Sequence, residues 1–316
     1  MGSPLSNAKA IKGRARRKLI SQKLAINLVD ISNTKGNTIR SKSYWNTFHC
    51  QTRVFTAEGK LFGTYCKNRH CILCAAIRKA TIINKYLPAI QKWHEPHFVT
   101  LTVKAVSKFR LKQIMNKMIE GFTKITRKYR KRHTRGNGAK LIGIRALECN
   151  YNAIKKTYNP HFHLIVPDLK TGQIIISEWL KLWTKKWTNP LAQDVRKVFN
   201  NQTALIEVVK YGSKIISEPT DTKNPPRNNQ IYARALHNIF ESMNGLRIFE
   251  RFGFNLPTKE ILTDSREITI SDIQEWIFVP EYFDWLNTEH EAPLTSFKPT
   301  NELLAILDKN LNITQE

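Results

Sequence analysis

The stretch Leu141-Ile142-Gly143-Ile144-Arg145-Ala146-Leu147-Glu148, followed after residues 149–160 by His161-Phe162-His163-Leu164-Ile165-Val166, decides how this chain folds. Both segments are short and apolar, and the residues between them join two strands by a turn. Working outward, Phe98-Val99-Thr100-Leu101-Thr102-Val103 is β-branched, is preceded by Pro96, and predicts a further strand. Between these strands, Ile114, Met115, Met118, Ile119, Phe122 and Ile125 fall at helical spacing and predict a helix from Leu111 to about Arg132, with Gly136 and Gly138 as its stop. A helix is expected over residues 77–94, another from Ile176 to about Trp187, a strand over Val195–Phe199, and helices over Ala204–Ser217 and Ile231–Met243. The order strand, helix, strand, strand, helix, strand, helix indicates an α+β sandwich centred on an antiparallel sheet, not a doubly wound parallel sheet.

Composition narrows the partner. The chain has 316 residues, 41% of them hydrophobic and 24% charged, which excludes wholesale disorder. Its net charge is +26, an excess that a polyanion relieves; nucleic acid is the first candidate and an anionic membrane surface the second. The charge is uneven, because residues 257–316 hold 12 acids against 4 bases. That segment reads as an acidic C-terminal appendage, a surface for a protein partner or an internal DNA mimic. Residues 1–40, crowded with Lys9, Lys12, Arg14, Arg16, Arg17, Lys18 and Lys23, read as a disordered basic arm. Residues 41–94 form a cysteine-rich module with its linking helix, and residues 95–256 the main α+β domain. No apolar run has the roughly 18 residues of a membrane span, and there is no apolar leader, so a cytoplasmic protein is expected. There is no P-loop and no G-x-G-x-x-G, and hence no recognisable nucleotide site.

Three constellations carry chemistry. On a strand, His161 and His163 share one face while Phe162 points to the other, and two adjacent neutral imidazoles suit one divalent ion. Glu148, at the end of the preceding strand, comes beside them through the hairpin as a third ligand. An imidazole and carboxylate set accepts Mn²⁺ or Mg²⁺. A His-x-His on a solvated strand face is the bland alternative. Second, Glu207, Tyr211 and Lys214 lie on one face of a predicted helix beside Lys210. A phenol attacks phosphorus as phenolate, a form that a neighbouring ammonium favours; an amphipathic helix with a half-buried tyrosine is the alternative. Third, Cys50 and Cys66-x4-Cys71-x2-Cys74 offer four thiolates for a structural Zn²⁺, with His49 or His70 as possible substitutes. The dense run Lys124, Arg127, Lys128, Arg130, Lys131 and Arg132 is a candidate for binding DNA phosphates.

In this order and spacing the pieces resemble the plasmid rolling-circle replication initiators, the single-tyrosine branch of the HUH endonucleases. The resemblance runs from about Cys50 to Phe252. It rests on Cys50, Cys66-Lys67-Asn68-Arg69-His70-Cys71-Ile72-Leu73-Cys74, the strand at Phe98, Arg145-Ala146-Leu147-Glu148 with Tyr151-Asn152, Tyr158-Asn159-Pro160-His161-Phe162-His163, and Glu207 through Lys214. Tyr232-Ala233-Arg234-Ala235-Leu236 and Leu246-Arg247-Ile248-Phe249 resemble the family's closing segment. The resemblance implies an HUH palm of ferredoxin or RRM-like type with a small N-terminal zinc-binding module. It implies that His161, His163 and Glu148 bind the catalytic ion, that Tyr211 is the nucleophile, and that Glu207 activates water at termination. It further implies a single-stranded or hairpin plasmid origin as substrate, nicked to leave a 5′-phosphotyrosyl protein and a 3′-hydroxyl, with a host helicase and DNA polymerase of a prokaryotic cell as partners. Two positions depart from the family: Cys71-Ile72-Leu73-Cys74 lacks the usual proline after its first cysteine, and Asn159 stands where a histidine is frequent. A transposase or relaxase has the same chemistry, and a non-catalytic zinc-containing DNA-binding regulator is the reading outside the enzymes.

Overall fold

Two neighbouring segments buried almost continuously over residues 143–148 and 160–166 build the central hairpin, and helices cover both of its faces. The computed structural model describes residues 3–34, 36–209, 232–256 and 273–309. In chain order its elements are β1 (Ser3–Pro4), α1 (Ala8–Thr34), α2 (Thr38–Phe48), β2 (Arg53–Ala57), β3 (Lys60–Gly63), α3 (Ile72–Ile90), β4 (His97–Thr102), α4 (Lys108–Thr134), β5 (Gly143–Asn152) and β6 (Thr157–Val166). There follow α5 (Leu169–Leu182), β7 (Asp194–Lys197), α6 (Asn201–Val208), α7 (Ala233–Ser242), β8 (Phe249–Phe252), β9 (Gln274–Val279), β10 (Asp284–Asn287) and α8 (Asn301–Lys309). The chain divides into two units, one of Met1–Arg78, Gly212–His237 and Glu260–Glu316, the other of Lys79–Tyr211 and Asn238–Lys259.

The second unit is an α+β fold. Its antiparallel sheet has the order β7-β4-β6-β5-β8. Phe162 points from β6 to one face, where its ring lies 5.7 Å from Phe122 of α4 and 5.7 Å from Trp179 of α5. On the other face Phe98, Ile144, Ala146 and Ile165 pack with Tyr86 and Ile90 of α3 and with Leu205, Val208 and Val209 at the end of α6. Each fully buried Phe, Ile, Leu or Val among these contributes roughly 1.5–3 kcal/mol. Arg145 is an exception within this core. It is wholly buried on the α4 face, with its guanidinium over the rings of Phe162 (4.5 Å) and Phe122 (5.2 Å) and bonded to Glu250.

Helix boundaries follow local chemistry. Helix α4 ends at Arg135, and Gly136 takes a left-handed φ of 77° there, as the Gly136 stop signal predicts. Helix α5 begins well before Ile176 because the Asp168 carboxylate accepts from the Thr171 N–H at 2.7 Å and caps it. It ends before Trp187, since Trp183 is already extended. After β8 the chain turns at Gly253, with φ 76°, where an added Cβ would strike the carbonyl of Leu141. Gly253→Ala is therefore expected to destabilise this unit by about 2 kcal/mol or more, measured as a lowered urea midpoint; an unchanged midpoint would disprove the backbone argument.

The first unit holds a second antiparallel sheet, β1-β3-β2-β9-β10. Two sequence expectations are overturned here. The basic arm is ordered: residues 8–34 form α1, which buries Ile11, Ala15 and Leu19 along one side and is enclosed on nearly all sides from Lys18 to Ser32, with Leu24, Leu28 and Ile31 inside. The acidic C-terminal segment is not an appendage: β9 sits between β2 and β10, and Phe278 and Trp285 pack with Val54, Leu61 and Ala15. Net charge concealed the alternating aromatic residues of Gln274–Val279. Of the acids in this segment, Asp284 is 1% exposed and accepts from the Thr295 N–H, while Glu275 pairs with Arg53.

Candidate metal centres

Strand pairing alone assembles the first centre. The β5–β6 register sets Glu148 opposite His161 and Ala146 opposite His163, so the three functional side chains share the face away from α4 and α5. The Glu148 Oε2 lies 3.7 Å from Nε2 of His161 and 3.7 Å from Nε2 of His163. The imidazole centroids are 4.7 Å apart and nearly perpendicular. All three residues are sheltered, at 3%, 4% and 9% exposure for Glu148, His161 and His163.

The far side of each ring is engaged. His161 Nδ1 faces the Asn159 carbonyl at 3.0 Å. A carbonyl only accepts, so Nδ1 carries a proton there and Nε2 is the nitrogen turned toward Glu148. His163 Nδ1 lies 3.3 Å from the Thr100 hydroxyl, its cross-strand partner on β4. Orienting bonds of this kind are what metal-ligating histidines make. The three ligand atoms lie within 4.8 Å of one another. Adjacent donors in a shell with bonds of about 2.1 Å are roughly 3–3.5 Å apart, so small adjustments close the set around one divalent ion. The donor chemistry thus fits a metal, and with three protein donors it leaves positions for substrate oxygens.

The second centre lies in the other unit. Cys50 and Cys74 sulfurs are 3.7 Å apart, Cys66 and Cys74 sulfurs 3.6 Å, and all four, with Cys71, fall within 4.8 Å of one another. That spacing is too long for a disulfide bond. It matches the edge of about 3.8 Å expected for four thiolates at 2.3 Å from a tetrahedral ion. The thiols share protons as a group: hydrogen bonds from Cys50, Cys71 and Cys74 hold Cys66 far below the usual thiol range, while bonding to Cys66 pushes Cys50 far above it. Four sulfurs so close lose their protons together only when a cation joins them. The histidine substitutes are not part of the set. His70 is buried with its ring edge-on to Tyr44, and burial holds it neutral, down to about 4.

Helix α1 supports this loop. The Lys18 ammonium donates to the carbonyls of Phe48 and Cys50 and to the Thr52 hydroxyl. Burial lowers that ammonium to about 8, against the opposing pull of Cys50, Cys71 and Cys66. Arg14 donates to Gln51 and to the Tyr65 hydroxyl. Sequence reasoning missed both roles, because the two cations stood in a run of seven and read as solvated charge. The register partner Thr100 was missed as well, although pairing Phe98–Val103 against His161–Val166 would have found it.

The remaining candidates divide. Glu207 is half-buried on α6, whose Leu205 and Val208 pack on the sheet face that carries the imidazoles. Tyr211, Lys210 and Lys214 lie outside the described residues. The basic run on α4 splits around the helix. Lys128 is committed to Glu178 of α5, and Arg132 lies over the Tyr129 ring at 5.4 Å. Lys124, Arg127, Arg130 and Lys131 are exposed. No described helix is long and apolar enough to cross a membrane.

Comparison with known proteins supplies the context for these centres. Residues 60–271 match the family described as replication protein. Among curated relatives, a "Protein rep" of a Bacillus species is 27% identical over 251 residues, covering 70% of this chain and 76% of that one. A "Protein rep" of Bacillus amyloliquefaciens is 26% identical over 240 residues, 66% of each chain. A "Protein rep" of Staphylococcus aureus is 30% identical over 168 residues, covering 47% of this chain and 69% of that one. No solved structure matches. The matched span takes in the end of the cysteine cluster, the whole Glu148, His161 and His163 centre, and the tyrosine segment, and the chain belongs to the replication protein family of Rep initiators.

Proposed function

We propose that the chain starts plasmid rolling-circle replication by nicking and rejoining one strand of its origin, with the chemistry and palm of the HUH endonucleases. The observation that carries this reading is the convergence of Glu148, His161 and His163 on the sheet face against which α6 packs, a helix whose last residue precedes Tyr211 by three in sequence. These three residues would hold Mg²⁺ or Mn²⁺, which when bound supplies charge to non-bridging phosphate oxygens. Cys50, Cys66, Cys71 and Cys74 would hold a structural Zn²⁺.

In the proposed reaction the Tyr211 oxygen attacks the scissile phosphorus in line. A bond from that oxygen to phosphorus forms and the bond from phosphorus to the 3′-oxygen breaks. The phenol proton is lost and the 3′-oxygen gains one, leaving a 5′-phosphotyrosyl protein and a 3′-hydroxyl for a host polymerase. Lys214, three residues from Tyr211 in sequence, favours the phenolate. Rejoining reverses the step without ATP because the phosphodiester energy is conserved, and the duplex is opened by a host helicase. At termination Glu207 takes a proton from the water that hydrolyses the tyrosyl ester. Lys210 holds a flanking phosphate.

The test is a denaturing gel. Single-stranded DNA spanning the origin, labelled on the 3′ side of the nick, is incubated with the protein and Mn²⁺. A slower-migrating adduct is expected from the native chain, with Tyr211→Phe lowering its yield by about 10³-fold or more. Adduct persisting in that variant removes Tyr211 as nucleophile, and absence of cleavage with every divalent ion favours a DNA-binding regulator.

A further inference from the structure

On the helix surface the basic run of α4 does not form one patch. Arg127, Arg130 and His133 line one side of a cleft of ≈ 780 Å³. Lys140, Arg247 and Arg251 line the other sides, with the turn after β8. Five permanent cations thus face a single carboxylate, Glu250. That carboxylate is already engaged, by Arg145 at 2.7 Å and Arg247 at 3.4 Å. The cleft therefore has charge to offer and no internal acid left to absorb it. It lies on the α4 side of the sheet, whereas Glu148, His161 and His163 project from the opposite face.

We propose that this cleft grips the phosphate backbone of duplex DNA beside the nicked strand, so that one sheet engages the origin on both of its layers. The proposal rests on the DNA-nicking reading and adds a second contact to it. Charge selects a nucleic acid, and the lining selects the double-stranded form. Binders of unpaired strands offer aromatic platforms to the bases. Here Phe252 is buried and Phe254 is occupied edge-on by Trp93 at 5.8 Å, so neither ring is presented for stacking. Arginines and a lysine without a stacking ring are groups that contact backbone and position a duplex.

The test separates this cleft from net charge. Affinity of the full chain for a duplex of roughly 20 base pairs from the origin flank, and for one strand of it, is measured by fluorescence anisotropy across a salt series. Two double variants remove the same charge from the same helix: Arg127→Ala with Arg130→Ala inside the cleft, and Lys124→Ala with Lys131→Ala outside it. The cleft pair is expected to weaken duplex binding about ten-fold at 0.15 M salt and to reduce the slope of log affinity against log salt by about two, since each phosphate contact contributes about 0.9. The outside pair is expected to cost much less, and single-strand binding to change less than duplex binding. Lys140→Ala with Arg251→Ala, on the far wall, should reproduce the cleft effect should the helix variant fold poorly. Equal losses from the inside and outside pairs, or an equal loss for single strand and duplex, would overturn the proposal. Adduct formation by the native chain is scored separately, so failure of the cleft and failure of the nicking reading are distinguishable.

Discussion

Replacing His161 and His163 together by alanine is expected to abolish Mn²⁺ binding at the Glu148 centre and to reduce strand nicking by about 10³-fold or more. The size follows from the donor set. Two of three protein ligands are lost, and one carboxylate alone holds a divalent ion weakly in water. A bound ion is worth several kcal/mol of charge stabilisation during phosphoryl displacement, and about 1.4 kcal/mol corresponds to each factor of ten. Direct titration followed by Mn²⁺ electron paramagnetic resonance reads binding without reference to activity. Thr100→Val provides a graded companion: it deletes the hydroxyl 3.3 Å from His163 Nδ1 and leaves all three donors in place. Loss of such an orienting bond lowers affinity by about ten-fold or more. Mn²⁺ binding that survives the double substitution would place the ion elsewhere, and nicking that survives it would remove the ion from the reaction.

The centre was legible from sequence because all of its parts lie on two strands. Alternation puts His161 and His163 on one face, and a hairpin between them and Glu148 can only bring the carboxylate alongside. The cysteine cluster was legible for a similar reason, since most of it falls in one short loop. What escaped reading depended on distant pairing or on three-dimensional direction. Strand β9 joins β2 across more than two hundred residues, and no local pattern announces such a partner. Helix α1 was hidden by its charge, because Arg14 and Lys18 look solvated until the carbonyls they serve are known. The run Lys124–Arg135 was seen as a single patch because sequence has no azimuth. At about 100° per residue, neighbouring cations leave the helix in different directions, one toward Glu178 and two into the cleft.

Cys74→Ser carries the largest expected effect on stability. Cys74 is the sulfur that approaches both Cys50 and Cys66, so its loss opens the cluster at its centre. A structural zinc in a four-thiolate site contributes on the order of 10 kcal/mol at neutral pH, comparable to the whole stability of a typical domain. The consequence reaches beyond the loop. Without the ion, the turn bearing Cys50 no longer holds its carbonyl toward Lys18, and that ammonium is buried at 0% exposure with its acceptors among the described residues at Phe48, Cys50 and Thr52. A buried cation deprived of its acceptors costs several kcal/mol, and the cheapest relief is for α1 to leave the sheet unit. The variant is therefore expected to lose zinc in elemental analysis, to lose helical far-ultraviolet ellipticity, and to become open to trypsin at Arg16, Arg17 and Lys18. A zinc chelator applied to the native chain should produce the same pattern, and Lys18→Met should lessen it by removing the stranded charge. Retained ellipticity and trypsin resistance after verified zinc loss would show that α1 is held by its buried apolar residues alone, independently of the cysteine loop.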